Sequence, residues 1–179
     1  MTNEQLINKC KNGNARAQRM LYDKFGPKLM AVCYRYAGNA EEAKDILQDG
    51  FIKIFENLEK YSGFGSLEGW MRRIVVNTAL DNIRKNKKLK LNSDIDDLDY
   101  KLASNSYIEE KLAAEDLLKI LSKIPIGYRT IFNLYAIEGY SHKEIAEQLS
   151  ISVSTSKSQY SRAKSLLRER IVKMNLHSR

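Results

Sequence analysis

Two cysteines, two histidines and two prolines in 179 residues each close off a class of protein. Cys10 and Cys33 are too far apart for a Cys-x-x-Cys pair, and His142 and His177 are remote from both. No zinc or redox constellation is therefore expected, and both thiols read as buried or inert. Nine glycines beside those two prolines leave few turn breakers for a sheet protein. Leu, Ile, Lys, Glu and Ala are plentiful, so the mix predicts an all-α protein. No Gly-rich phosphate loop, metal-ligand set or nucleophile and histidine arrangement is present, so neither an enzyme nor a cofactor is expected. No apolar run approaches the roughly 20 residues that span a bilayer. The start Met1-Thr-Asn-Glu-Gln-Leu6 has no apolar signal core. The expectation is a cytoplasmic protein with no insertion in a membrane.

What the chain does have is positive charge, a formal +8 with a pI of about 9.4. At this size that suggests a polyanionic partner, either nucleic acid or an acidic membrane surface. The charge is not spread evenly. Residues 1–91 hold 17 Lys/Arg against 10 Asp/Glu, residues 92–116 hold 2 against 8, and residues 117–179 hold 11 against 4, giving +7, −6 and +7. The acidic stretch from Asn92 to Ser106 has no sustained apolar period and is rich in cap and turn formers, so it reads as a flexible linker. It is either a solvated tether or an acidic segment that lies in a basic protein channel where nucleic acid later passes.

Periodicity divides the first basic block into four helices. Leu6 and Ile7 suit a short first helix that Gly13-Asn14 interrupts. From Ala15, the residues Met20, Leu21, Phe25, Leu29, Val32, Cys33 and Tyr36 are spaced at threes and fours, as one helix face requires. Gly38-Asn39 ends that helix. Glu41-Glu42 suits the next N-terminus, and Ile46, Leu47, Ile54, Phe55 and Leu58 carry a stripe to Tyr61. The run Ser62-Gly-Phe-Gly-Ser66 breaks the pattern, with Ser66 and Glu68 placed to cap and charge a fourth helix. That helix carries Leu67, Trp70, Met71, Ile74, Val75, Thr78, Leu80 and Ile83 and ends in the basic run Arg84 to Lys88. Trp70, at helical spacing with Ile74, reads as core.

The second half repeats the pattern on a smaller scale. Leu112, Leu117, Leu118, Ile120 and Leu121 share one segment, Pro125 starts a helix with Ile131, Phe132 and Leu134, and Gly139 stops it. Ser141-His-Lys-Glu144 fits a capping box, in which each side chain satisfies the other residue's backbone donor. His142 there reads as an exposed helix-start residue. After Leu149 the break Ser150-Ile-Ser152 leads into a long basic helix from Val153 to about Val172. This is helix-turn-helix spacing. Ala146 is small where two helices must cross closely, Ile145 and Leu149 face inward, and Ile151 plugs the turn. Ser150 stands where a glycine often sits, and Ser156 where an apolar residue commonly packs. Thr155, Lys157, Ser158, Gln159 and Arg162 can then donate to base edges and phosphates in a major groove. An ordinary helical hairpin with a polar face has the same spacing.

Three stretches of the second half, Leu121-Ser-Lys-Ile-Pro-Ile-Gly-Tyr-Arg129, Glu138-Gly-Tyr-Ser-His-Lys-Glu-Ile-Ala146 and Lys157-Ser-Gln-Tyr-Ser-Arg-Ala-Lys164, resemble the C-terminal domain of extracytoplasmic-function (ECF) RNA polymerase sigma factors. In the first half, Leu21-Tyr-Asp-Lys-Phe25, Ala43-Lys-Asp-Ile-Leu-Gln-Asp-Gly-Phe51 and Gly69-Trp-Met-Arg-Arg-Ile-Val-Val-Asn-Thr-Ala-Leu-Asp-Asn-Ile-Arg84 are similar to that family's core-binding and promoter-melting helices. The resemblance implies two small helical domains. Residues 1–91 would bind core RNA polymerase and recognise and melt the minus-10 element. Residues 92–108 would be the linker, and residues 109–179 would read the minus-35 element with the helix-turn-helix.

By the same resemblance, Asp45, Gln48, Asp49 and Phe51 would lie on the helix that binds a coiled coil of the polymerase's largest subunit, with Asp45, Gln48 and Asp49 on one face. Lys44 and Gly50 depart from the more acidic, better helix-forming pattern common in the family. Tyr61, Phe64, Arg73, Asn77 and Arg84 would hold single-stranded minus-10 DNA by stacking, amide hydrogen bonds and phosphate contacts. Thr155, Lys157, Ser158, Gln159 and Arg162 read the minus-35 element. Gln159 stands where the family often has Arg, and its amide suits adenine where Arg would favour guanine. The implied partners are core polymerase, including its flap, promoter DNA and an anti-sigma factor. The rival reading is a two-domain helix-turn-helix repressor or activator, which would bind an operator alone and usually as a dimer.

Overall fold

In the computed structural model, residues 2–90, 116 and 118–177 are described, and they fall into two units, Met1–Leu98 and Asp99–Arg179. The stretch expected as a linker, 92–108, lies outside the described residues, as do Leu112 and Leu117. Among the described residues there is no strand.

The first unit is built from α1 (Asn3–Lys11), α2 (Ala15–Tyr36), α3 (Ala40–Asn57), a 3-10 turn (Leu58–Lys60) and α4 (Leu67–Lys90). Polar caps set where its helices begin. The Thr2 hydroxyl and the Gln5 side chain satisfy each other's backbone N–H at the start of α1. Asn14 accepts from the Ala17 N–H at 2.9 Å and Asn39 from the Glu42 N–H at 2.8 Å, while Ser66 accepts more loosely from the Gly69 N–H at 3.3 Å. Each such cap is worth about 1 kcal/mol. The apolar stripes of α2, α3 and α4 then pack on one another, burying Leu21, Leu29, Cys33, Tyr36, Ile46, Ile54, Met71, Val75 and Leu80.

Met20 and Gly50 differ from the sequence expectation. Met20 is 44% exposed, because it lies one residue, about 100°, off the line through Leu21, Phe25 and Leu29. Gly50, expected as a helix weakness, has a packing reason. It is buried where α3 crosses α4, and a Cβ there would stand 3.0 Å from Val75 Cγ2.

In the second unit, residues 118–122 are helical and lead to α5 (Ile126–Phe132), α6 (His142–Leu149) and α7 (Val153–His177). Ile120, Leu121, Ile124 and Leu167 form a core on which Tyr128, Phe132 and Leu166 pack. The helix expected to run to Gly139 instead widens after Phe132 into a π turn, Asn133–Ile137, in which the Glu138 N–H reaches the Asn133 carbonyl at 2.9 Å. Gly139, at φ +79°, ends it. The Ser141 and Glu144 capping box forms as expected. Ser150 caps α6 in the left-handed conformation at φ +53°, the place where glycine carries no Cβ penalty. The Ser152 hydroxyl accepts from the Thr155 N–H at 3.0 Å and so opens α7.

Candidate nucleic-acid and polymerase interface

On α3, Asp45, Gln48 and Asp49 are exposed on one face, as the three- and four-residue spacing requires. Ile52 continues that line and is 50% exposed. The expectation missed Ile52, although an apolar residue three places beyond Asp49 on a polar face was a readable signal. Phe51 belongs elsewhere. It is buried, with its ring 4.6 Å from that of Tyr22 and 5.9 Å from that of Phe55. It therefore supports the outward face from the side rather than forming part of it, because residue 51 lies about 110° around the helix from the line through 45, 48, 49 and 52. Lys44 is occupied by Glu41 at 2.8 Å.

The loop between α3 and α4 exposes one aromatic ring. Phe64 is 90% exposed and sits between Gly63 at φ +81° and Gly65 at φ +79°. Those conformations let the chain turn tightly enough to lift the ring off the surface. Tyr61 anchors the loop, donating its hydroxyl to the Gly65 carbonyl at 3.0 Å and lying 5.4 Å from the Trp70 ring. Trp70 is half-buried rather than core. One side meets Tyr61, and the ring also lines an open depression of about 290 Å³ with Lys53, Asn57, Lys60, Ile74, Asn77 and Thr78.

The structure therefore brings together Tyr61 and Asn77 of the expected set, through Trp70, and adds Lys53, Asn57 and Lys60. Those three come from the C-terminal part of α3 and the 3-10 turn, which no local motif marked. Arg73 is exposed and outside this lining. Arg84 is engaged with Asp81 at 2.8 Å, and Asp81 also holds Lys53 at 3.0 Å.

The helix-turn-helix sorts its residues by direction. Lys157 and Ser158 are exposed, as are Ser154 and Ser161, two hydroxyls that the expected set left out. Thr155 is half-buried and spent on the cap, its hydroxyl 2.7 Å from that of Ser152. Gln159 is half-buried, with its carboxamide oxygen beside Gly127 at the start of α5. Arg162 is exposed and leans the same way, donating to the Tyr128 hydroxyl at 3.4 Å. The most outward reach thus belongs to Lys157, Ser158 and Ser161, with Gln159 and Arg162 on the flank.

His142 departs from its expected exposure. It is half-buried, stacked on Tyr135 at 4.2 Å, edge-on to Tyr160 at 5.7 Å, and its Nδ1 lies 2.9 Å from the Ser156 hydroxyl. Burial, and then the charge of Lys157, hold its pKa below the ordinary histidine value.

Comparison with known proteins gives matches along most of the chain. Residues 21–89 match the family model for sigma-70 region 2, and residues 114–167 match that for sigma-70, region 4. The chain is 30% identical over 177 residues to the ECF RNA polymerase sigma factor SigW of Bacillus subtilis, covering 92% of this chain and 94% of that protein. It is also 30% identical over 151 residues to the ECF RNA polymerase sigma factor SigE of Mycolicibacterium smegmatis, covering 82% of this chain but spanning only 58% of that relative. Among solved structures, the sigma factor RpoE of Bartonella quintana, in complex with the anti-sigma factor NepR, has the same fold, with a TM-score of 0.55 at 22% identity over 84% of this chain and 94% of that one.

Proposed function

Because this chain belongs to the ECF class of RNA polymerase sigma factors, we propose that its outward residues divide between polymerase and promoter as follows. Asp45, Gln48, Asp49 and Ile52 on α3 meet a basic coiled coil of the polymerase's largest subunit, the carboxylates pairing with cations and Ile52 supplying apolar contact. Phe64 and the depression beside Trp70 receive minus-10 bases taken out of the stack. Phe64 offers a stacking surface, Asn57 and Asn77 offer amide donors and acceptors, and Lys53 and Lys60 attract phosphate. The helix α7 reads the minus-35 element through Lys157, Ser158 and Ser161, flanked by Gln159 and Arg162. Residues 1–91 form the first functional domain, 92–108 the tether and 109–179 the second, with the polymerase flap and an anti-sigma factor as further partners.

On this reading the chain is an initiation factor and not itself a catalyst, and it works in the cytoplasm. Among the described residues, no helix is long and apolar enough to cross a membrane. The repressor or activator alternative is not favoured by the family matches.

The observation that carries the minus-10 assignment is Phe64, 90% exposed on a loop tied through Tyr61 to the wall of a basic, amide-bearing depression. A free protein gains nothing from so exposed a ring, whereas a stacked base there is worth about 1–3 kcal/mol. The test is open-complex formation by reconstituted holoenzyme. Phe64→Ala is expected to lower it about five-fold or more while leaving core affinity intact. Charge reversal at Asp45 and Asp49 is expected to do the opposite, weakening core binding without unfolding the chain. Normal open complexes with Phe64→Ala would remove the minus-10 assignment, and normal core affinity with both reversals would remove the α3 assignment.

A further inference from the structure

In the first turns of α7, Val153–Ser158, the fully buried side chain is a polar one. Ala146 on α6 and Ala163 on α7 are buried and small, and between the helices stands Ser156, a hydroxyl with no measurable exposure. Farther along α7, Leu166 and Leu167 pack on the core of Ile120, Leu121 and Ile124 and hold that part of the helix, but over Val153–Ser158 no buried apolar side chain does the same. A directional bond does that work instead. The Ser156 hydroxyl lies 2.9 Å from His142 Nδ1, and the imidazole itself cannot swing, because Tyr135 stacks on it within 14° of parallel and Tyr160 closes its edge. Three elements thus meet on one ring: the π turn through Tyr135, the start of α6 through His142, and α7 through Ser156 and Tyr160. A buried hydroxyl left without its partner carries a desolvation penalty, so the bond resists being broken by rotation.

We propose that His142 is a positioning residue for promoter reading: its bond to Ser156 sets the rotation of α7, and with it the placement of Lys157 and Ser158 against the groove. The inference rests on the reading of α7 as the minus-35 helix. Lys157 directly follows the pinned residue. With side-chain heads about 6 Å from a helix axis, a rotation of about 20° moves them by about 2 Å, enough to lose a hydrogen bond to a base edge. The lowered pKa of His142 agrees with a neutral ring in this bond.

The test uses reconstituted holoenzyme and two duplexes, one a promoter it selects from genomic DNA and the other the same promoter with its minus-35 element scrambled. The readout is the ratio of the two affinities, with core affinity measured alongside. His142→Leu and Ser156→Ala are each expected to lower that ratio about five-fold, the worth of one neutral hydrogen bond, at unchanged core affinity. The double variant is expected to be no worse than either single one. His142→Asn, which puts a polar nitrogen near the place of Nδ1, is expected to keep most of the ratio. An unchanged ratio in both single variants overturns the proposal. So does a double variant in which the two losses multiply, or a His142→Asn protein as poor as His142→Leu, since either result means bulk rather than the bond. If the unaltered holoenzyme does not distinguish the two duplexes at all, the reading of α7 itself fails and takes this proposal with it.

Discussion

Cys33 sits on the buried face of α2 with no measurable exposure, and burial pushes its thiol up to about 12 from an ordinary 9.0. Cys10 is buried too and raised in the same direction by the same cause. A rise of about three units makes the reactive thiolate of Cys33 about a thousand-fold scarcer at neutral pH. In a titration with an aromatic disulfide reagent, the native protein is therefore expected to leave Cys33 unreacted over hours, and both thiols are expected to appear at once in denaturant. Rapid reaction of Cys33 in native buffer would contradict the burial. At this scale the sequence was readable for buried thiols and for the exposed Asp45, Gln48 and Asp49, because spacing alone separates inside from outside on a regular helix. It was not readable for His142. That ring is covered by Tyr135, seven positions back across the π turn, and by Tyr160, eighteen positions on, so no local pattern records the enclosure.

A helix is set by its ends and by what crosses it, and only the ends are local. Ser66 and Ser141 act as the caps that the sequence suggests, and Asn14 and Asn39, read there only as breaks, cap α2 and α3, so the helix starts fall where the sequence put them. The π turn does not follow, since inserting one residue into the ladder changes no residue type. Neither does Gly50. On an isolated helix Gly50→Ala gains about 1 kcal/mol in propensity. Here the added methyl meets Val75 Cγ2 at 3.0 Å, on a β-branched side chain that is itself buried and stiff. Overpacking of that kind costs about 1–3 kcal/mol. Gly50→Ala is thus expected to leave the first unit no more stable, and up to about 2 kcal/mol less stable. Chemical denaturation checks it, and a clear stabilisation would mean that α3 and α4 can spread without cost.

For the molecule as a whole, the decisive sequence feature was the order of charge, +7, −6 and +7, together with two motif sets in one chain. Which cations the proposed DNA contact would use was less legible, because pairing on the folded surface decides which of them are engaged. Asp81 is the case in point, holding Arg84 at 2.8 Å and Lys53 at 3.0 Å. In solution a cation near a phosphate is attended by small ions, and DNA binding gains from setting the nucleic acid's own counterions free. Asp81 is a counterion that never leaves. Whatever phosphate approaches Lys53 and Arg84 does so beside a fixed negative charge, so this corner of the surface binds more weakly and responds less to salt than its two cations suggest. Asp81→Asn is expected to steepen the dependence of log affinity on log salt by about 1 and to tighten binding most at low ionic strength. A salt titration of holoenzyme on promoter DNA measures this, and parallel lines for the two proteins would mean that phosphate does not reach this pair. On the proposed reading, a carboxylate placed here would keep the protein's grip on nucleic acid loose wherever bases are not also being held. A factor that must leave non-promoter DNA quickly is better served by such a built-in brake than by fewer cations.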